Sequence, residues 1–445
     1  MNGLLIGRGN RQLYPCGEQV VTIDYRHGTN RVQENCTRAQ YAPRPMSAPA
    51  TPDHLQRPHI RPFQPLAGNQ QGQQVVALRN PVPMTEQMLV IPAQVFPLLG
   101  LFQGERTLEE ISEQTKAPVD FLQQLVQRLD ESGLLWGPTS ERFEQQVLER
   151  VAAAGHFPIG ASAMAGKDAA EAKTNLERAL GEAEDPELES PVTGLVVPSM
   201  AYGQAAGSYA MAWKSVASGP KPARVVIIGS NLSGLGDGVV MSRHGFETPL
   251  GVVRPDAAAI DSLVARLGDR LLKDELDFFT DATVQAQLPW MQSVLGDVPV
   301  VAALLPNPLN PLLSDDGARV SHAEFCSALT DLVGEWSGRT LIVCSGDLSH
   351  VGAQFGDPAP IDEQHQDAIE KRDRELLALF IRGDRGGKEL IEALRQDNAQ
   401  RWMIVGALTA MRAACEGGLE LLDYRQVTDD KRQMLVSHAV LACCE

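Results

Sequence analysis

The sequence predicts a layered α/β domain preceded by a small winged-helix α+β domain. Three observations carry this. At 445 residues the chain exceeds one ordinary core. From residue 193 onward, short apolar runs alternate with amphipathic stretches of helical length, the pattern of strands crossing over through helices. Ahead of that lies a helix, a capped helix, a helix and a short strand between residues 92 and 136, the parts of a winged helix.

In chain order, residues 1–58 show no periodicity. Tyr41-Ala-Pro-Arg-Pro-Met-Ser-Ala-Pro-Ala-Thr-Pro52 is a proline-broken polar stretch with too little apolar surface to order itself. This segment is expected to be a disordered extension, or one that precedes a natural start at Met46. The winged-helix domain is expected over 59–140. Within it 74–78 and 87–91 read as strands, and 92–102 as a helix opened by proline. Thr107-Leu-Glu-Glu110 is a capping box, in which the Thr hydroxyl and the Glu carboxylate satisfy each other's orphan backbone N–H groups. Residues 118–132 place Phe121, Leu122, Leu125 and Leu129 at helical spacing, Gly133 ends that helix, and 134–136 read as a strand. A helical connector over 141–157 leads to the α/β domain, 158–445, in which 170–184 read as a further polar helix. Its strands are expected at 193–197, 223–229, 298–305, 341–345, 419–426 and 434–443. Its later helices are expected at 203–217, 256–272, 322–336, 361–381, 387–395 and 402–415.

Composition excludes several classes. The net charge of −17 opposes a general attraction to nucleic acid or an anionic membrane. Between Glu86 and Arg150, five basic residues stand against eleven acids, a net of −6, which suits a peptide-docking module better than a phosphate reader. No apolar run approaches a membrane span, and Gly3–Ile6 is too short for a signal-peptide core, so a cytoplasmic protein is expected. The seven cysteines show neither C-x-x-C pairing nor zinc-ribbon spacing, so no disulfide framework is expected.

The stretch with most chemical content is Leu341-Ile-Val-Cys-Ser-Gly-Asp-Leu-Ser-His350. An apolar strand ends in small residues and then presents Asp347 and His350 three positions apart. Carboxyl ends of strands are where ligands and catalytic groups collect in open α/β sheets. An Asp-x-x-His there suits metal binding or proton transfer. It equally suits a turn in which the Asp caps the backbone and holds the His. Other motifs fail. Gly229-Ser-Asn-Leu-Ser-Gly-Leu-Gly236 follows a strand but lacks the G-x-G-x-x-G spacing and any P-loop Lys. His244, His322, His365 and His438 fall on unrelated elements.

Val197-Pro-Ser-Met-Ala-Tyr-Gly203, Ile228-Gly-Ser-Asn-Leu-Ser233, Ala282-Thr-Val-Gln-Ala-Gln-Leu-Pro289 and Ser345-Gly-Asp-Leu-Ser-His350 follow one another along the second half of the chain. Through them the chain, from about Pro158 to the C-terminus, resembles the MEMO family, whose prokaryotic members are called AmmeMemoRadiSam system protein B and which is related in fold to class III extradiol dioxygenases. Val197-Pro-Ser-Met-Ala-Tyr-Gly203 resembles the family's P-H-A-G-Y segment. Ile228-Gly-Ser-Asn-Leu-Ser233 stands where the family has G-P-S-H-H, Ala282-Thr-Val-Gln-Ala-Gln-Leu-Pro289 resembles H-S-x-E-x-x-L-P, and Ser345-Gly-Asp-Leu-Ser-His350 resembles S-S-D-x-S-H. The preceding segment, with Leu78-Arg-Asn-Pro81, resembles a PqqD-type docking fold.

The resemblance implies a dioxygenase-like fold and a metal held by a His of P-H-A-G-Y, a His of G-P-S-H-H and a late Cys. Here those positions hold Ser199, Leu232 and Ser233, and Ala399 or Gln400, while Ala282 and Gln285 replace the His and Glu of H-S-x-E. Ser, Leu and Gln do not bind Fe(II), Cu or Zn usefully. The expectation is therefore a degenerate MEMO-like protein without a metal or other cofactor. Its old cleft would be lined by Ser199, Tyr202, Ser230, Asn231 and Ser233, with Gln285, Gln287 and Arg401 beside Asp347 and His350. The family's association implies radical-SAM and AMMECR-type proteins, or a peptide, as partners. The alternative is an enzyme, dioxygenase-like or hydrolytic, that uses Asp347 and His350 as an acid–base pair, the His oriented by the carboxylate and Ser199 as nucleophile.

Overall fold

Four apolar runs, each flanked by turn residues, become neighbouring parallel strands, because only a sheet covered on both faces buries a continuous apolar strand. The computed structural model describes residues 2–7, 10–15, 53–85, 88–231, 238–309, 318–357, 360–399, 401–429 and 431–445. The chain divides into two units, residues 1–153 and 154–445.

In the first unit β1 (Gln64–Gln70), β2 (Gln73–Arg79) and β3 (Leu89–Pro92) form an antiparallel sheet in that order. Gln71 and Gly72, both at positive φ, make the tight turn between β1 and β2. A 3-10 segment over Ala93–Leu101 precedes α1 (Leu108–Thr115), α2 (Val119–Glu131) and α3 (Pro138–Ala154). The Thr107–Glu110 capping box is present in full. Leu122, Leu125 and Leu129 face a core with Leu78, Ile91, Phe102 and Ile111. Residues 134–136 make one isolated bridge, Ile60 with Leu135, in place of the expected strand. In the segment without periodicity, Asn2–Gly7 pairs antiparallel with Asn10–Pro15.

The second unit is built on a mixed sheet. Its parallel centre runs β4 (Val192–Val197), β8 (Thr340–Ser345), β5 (Arg224–Ser230), β7 (Val300–Leu305). Antiparallel strands extend it: β6 (Val240–Met241) on β7, β11 (Leu435–Cys444) on β4, and β9 (His350–Val351) and β10 (Gly418–Thr428) on β11. Alternate strand residues such as Val226, Ile228, Ala303, Ile342 and Cys344 share one core with α6 (Ala257–Leu267), α8 (His322–Glu335), α9 (Glu363–Arg382), α10 (Lys388–Gln396) and α11 (Val405–Ala414). Three helices, α4 (Ala169–Glu182), α5 (Tyr202–Lys214) and α7 (Leu288–Leu295), pack against one another, and α5 lies on β4 and β11. The helix expected over 256–272 breaks at Gly268, whose φ of 87° ends α6 before a 3-10 turn at Asp269–Leu272. Among the described residues no helix is long and apolar enough to cross a membrane.

Parallel strands bring their carboxyl ends to one edge. Ser199 follows β4, Asp347 follows β8, Asn231 follows β5 and Asn307 follows β7. Gly346 N–H donates to Val197 O at 3.0 Å and Asn231 N–H to Leu305 O at 2.8 Å, which closes this edge.

Candidate functional site

At that edge Ser199 and Asp347 form one unit. Ser199 N–H donates to Asp347 Oδ1 at 3.0 Å, and Ser199 Oγ–H donates to Oδ2 at 2.7 Å. Both residues remain partly exposed. Loss of solvation pushes the Asp347 carboxyl up to about 6, against the pull of its bonds from Ser199 and Met200. Asp347 is thus poised to exchange a proton near neutrality.

His350 is buried, and its Nδ1 meets Leu348 O at 3.1 Å, leaving Nε2 as the ring atom for a ligand. Burial lowers it to about 4, so the imidazole is neutral at physiological pH. Its ring meets the edge of Phe355 at 5.4 Å between centroids. Arg401 reaches over from the other side. Its Nη1 donates to His350 O at 3.0 Å, and the guanidinium grips both oxygens of Asp357 at 3.0 and 2.6 Å. Arg401 holds a φ of 58°, a costly left-handed conformation for a side chain of its size. The Asp347 carboxylate takes hydrogen bonds from Ser199, and the His350 imidazole meets a backbone carbonyl. The sequence reading in which Asp347 orients His350 is corrected on this point, because the two side chains have different hydrogen-bond partners.

The other expected cleft residues divide. Ser230 Oγ donates to Met403 O at 3.2 Å, and Asn231 Nδ2 donates to Asp277 Oδ2 at 2.9 Å. Both stay at the strand ends. Tyr202, Gln285 and Gln287 are framework instead. The Tyr202 hydroxyl donates to Ala286 O, with its ring against Tyr209 and Trp290. Gln287 is fully buried: its Nε2 donates to Pro198 O and Ser345 Oγ, each at 2.8 Å, and its Oε1 accepts from Trp213 Nε1 at 3.1 Å. It ties the end of β4 to the end of β8. Gln285 Nε2 donates to Phe278 O at 2.7 Å from a buried position. Ser233, with Leu232 and Gln400, lies outside the described residues.

A transition metal needs two to four borderline or soft ligands at one point. Among the described residues no three His, Cys, Asp or Glu side chains gather in that way. The donor set at the strand ends does not fit the metal that the resemblance implies. The hydroxyl of Ser199, at the position for which the resemblance implies an imidazole, donates to Asp347 Oδ2.

Sequence reasoning missed Asp373, a buried carboxylate on α9 that sits beneath the Asp347–His350 loop and accepts four side-chain donors. It also missed Asp281, whose Oδ1 and Oδ2 cap the backbone of 283–285 and fix the turn that carries Gln285 and Gln287. Asp373 lies inside an ordinary amphipathic helix, and nothing in local spacing marks it. Asp281-x-Thr283 is readable as an Asx turn.

Comparison with known proteins gives one consistent result. The profile of the Memo-like protein family matches residues 160–442. A MEMO1 family protein of Thermotoga neapolitana is 34% identical over 214 residues, 46% of this chain and 72% of that protein. One from Methanopyrus kandleri is 28% identical over 255 residues, 55% of this chain and 81% of its own length. A third, from Aquifex aeolicus, is 24% identical over 342 residues, 75% of this chain and 84% of the relative, a match longer than the second unit alone.

Proposed function

This chain belongs to the Memo-like protein family, and from that premise we propose that it acts as a binding component of an AmmeMemoRadiSam-type modification system, without a catalytic metal. The observation that carries the reading is the Ser199–Asp347 pairing, which puts a hydroxyl where the family resemblance implies an imidazole and spends it on the carboxylate. What is left at the strand ends is a neutral imidazole, a protonatable carboxyl, hydroxyls and amides. This set recognises a ligand by hydrogen bonds rather than by coordination. The first unit acts as a PqqD-like, winged-helix docking module for an extended peptide of a cytoplasmic partner of radical-SAM or AMMECR type. In support, β3 is an edge strand, and Met88, Val90 and Phe121 are exposed apolar side chains.

The test is to titrate Fe(II), Cu and Zn into purified, reduced protein and follow heat and metal content. Binding at a ratio well below one metal per chain is expected. Stoichiometric binding abolished by His350→Ala would sink the reading.

A second reading has its own support. Ser199 Oγ–H donating at 2.7 Å to a carboxyl raised to about 6 is a nucleophile beside a base, the geometry of a hydrolase. Ester hydrolysis lost in Ser199→Ala and retained in His350→Gln would favour it over a purely binding role.

A further inference from the structure

Asp373 accepts from every direction. Ser349 Oγ–H donates to its Oδ1 at 2.5 Å and Trp402 Nε1–H to the same oxygen at 2.7 Å, while Tyr424 OH donates to Oδ2 at 2.8 Å and Ser437 Oγ–H completes the set. The residue is fully buried on α9. Its four donors come from four segments. Two of those segments are framework: Tyr424 lies on β10 and Ser437 on β11. The other two bear the candidate site. Ser349 stands between Asp347 and His350, and Trp402 follows Arg401, whose guanidinium holds His350 O at 3.0 Å. Three further hydrogen bonds tie the loop to β11. Ser349 N–H donates to Ser437 Oγ at 3.0 Å, Leu348 N–H to Ser437 O at 2.8 Å, and Ser437 N–H to Ser349 O at 3.1 Å.

We propose that Asp373 is the positioning residue of the site, fixing the 347–350 loop and the Arg401–Trp402 segment against each other through Ser349 and Trp402. This rests on the reading above that places the site at Asp347 and His350. The chemistry needs an aspartate. A carboxylate offers lone pairs to four donors at once, whereas an amide offers an oxygen on one side and an N–H₂ that opposes donors on the other. A group that served only to fill the core would be replaceable by an isostere, and its loss would loosen all four segments alike. A positioning group transmits its loss along the two segments that carry site atoms.

The His350 imidazole reports this directly. It is held neutral by burial down to about pH 4. The charged and titratable groups around it are Arg401, its partner Asp357 and, beyond Asp357, His365. Once the loop loosens, water reaches the ring and its titration moves back toward 6.5. The experiment is a pH titration of the full-length protein carrying labelled histidine, followed by NMR, with His350 assigned from the spectrum of His350→Gln. Asp373→Asn is expected to raise the His350 midpoint by one pH unit or more. Ser349→Ala and Trp402→Phe should move it in the same direction, and Tyr424→Phe should leave it within a few tenths of a unit. If Asp373→Asn does not fold, the comparison of Ser349→Ala and Trp402→Phe with Tyr424→Phe decides the matter. An unmoved midpoint in a folded Asp373→Asn protein, or a Tyr424→Phe shift equal to that of Ser349→Ala, overturns the proposal. The readout uses no ligand, so a failure of the binding function itself, seen in the metal titration, is distinguishable from a failure here.

Discussion

Asp347 and His350 load the same narrow pH window with opposite signs. Asp347 is raised from 3.8 to about 6, so the folded state holds its proton longer than the unfolded chain does; stability from this group is complete below 3.8 and is lost as pH rises through 6. His350 is lowered from 6.5 to about 4, so stability from it is complete above 6.5 and is lost as pH falls through 4. At about 1.36 kcal/mol per pH unit, the rise of Asp347, reduced for its partial exposure, comes to about 2 kcal/mol, and the fall of the buried His350 to about 3 kcal/mol. In the native protein the two slopes oppose each other. Asp347→Asn should therefore gain about 2 kcal/mol on the native protein between pH 4 and 7, and His350→Gln should lose about 3 kcal/mol over the same interval, both read from urea unfolding at a series of pH values. Parallel profiles for the three proteins would show that neither group is titrating as stated. Asp281, raised to about 6, and His438, lowered to about 4, add a second pair of the same signs that persists in both variants. The place of Asp347 and His350 at the end of a strand was legible because Asp-x-x-His follows an apolar run. Gln287 was legible only as polar, and its role was misread as cleft lining. A glutamine that donates to Pro198 O and Ser345 Oγ and accepts from Trp213 is a strut. Gln287→Leu should therefore cost about 3 kcal/mol by stranding buried polar partners, again by urea unfolding, whereas a residue lining an open cleft would cost little.

Elements were legible where one physical rule dominates. The parallel strands read as unbroken apolar runs because both faces are covered, and Thr107–Glu110 reads as a helix start because its two hydrogen bonds are local. Boundaries failed where a tertiary contact overrides the local pattern. Residues 134–136 have strand composition but form a single bridge, Leu135 with Ile60, and the helix expected from 402 starts at Val405 because Arg401 and Trp402 are drawn to Asp357 and Asp373. Close approach between elements was invisible in the sequence, and Gly194 shows why. On β4 it pairs with Cys443 of β11, and a Cβ there would lie 2.7 Å from Cys415 Sγ and 3.2 Å from Cys443 Cβ. The small residue lets the end of α11 lie down on the sheet. Gly194→Ala should cost about 1–3 kcal/mol by overpacking, and Cys415→Ala in the same chain should recover most of it by removing the opposing sulfur. Thermal unfolding of the two single variants and the double variant checks this; additive losses would mean that the sulfur is not what the new methyl meets.

At the scale of the molecule, the two units each close their own core. One gathers Leu78, Phe102, Ile111 and Leu129; the other gathers Ile228, Leu305, Leu329 and Leu408. No residue belongs to both clusters. A unit with its own core loses its own free energy when that core is cut, and the change does not reach a unit whose buried surface is unaltered. Leu129 and Leu329 are both fully buried, so truncating either to alanine removes the same atoms from comparable surroundings and costs about 2–5 kcal/mol. Calorimetry of the full chain should then show two transitions. Leu129→Ala should lower the midpoint of one and leave the other in place, and Leu329→Ala should do the reverse. The His350 imidazole signal identifies which transition belongs to the unit that holds the site, since it must vanish with that one. If either substitution dragged both transitions down together, the units would share their stability, and the peptide binding proposed for the first would be felt at His350 through that shared free energy. If the transitions separate, the proposed docking and the proposed recognition at the strand ends would be independent events, coupled only by a partner that binds at each.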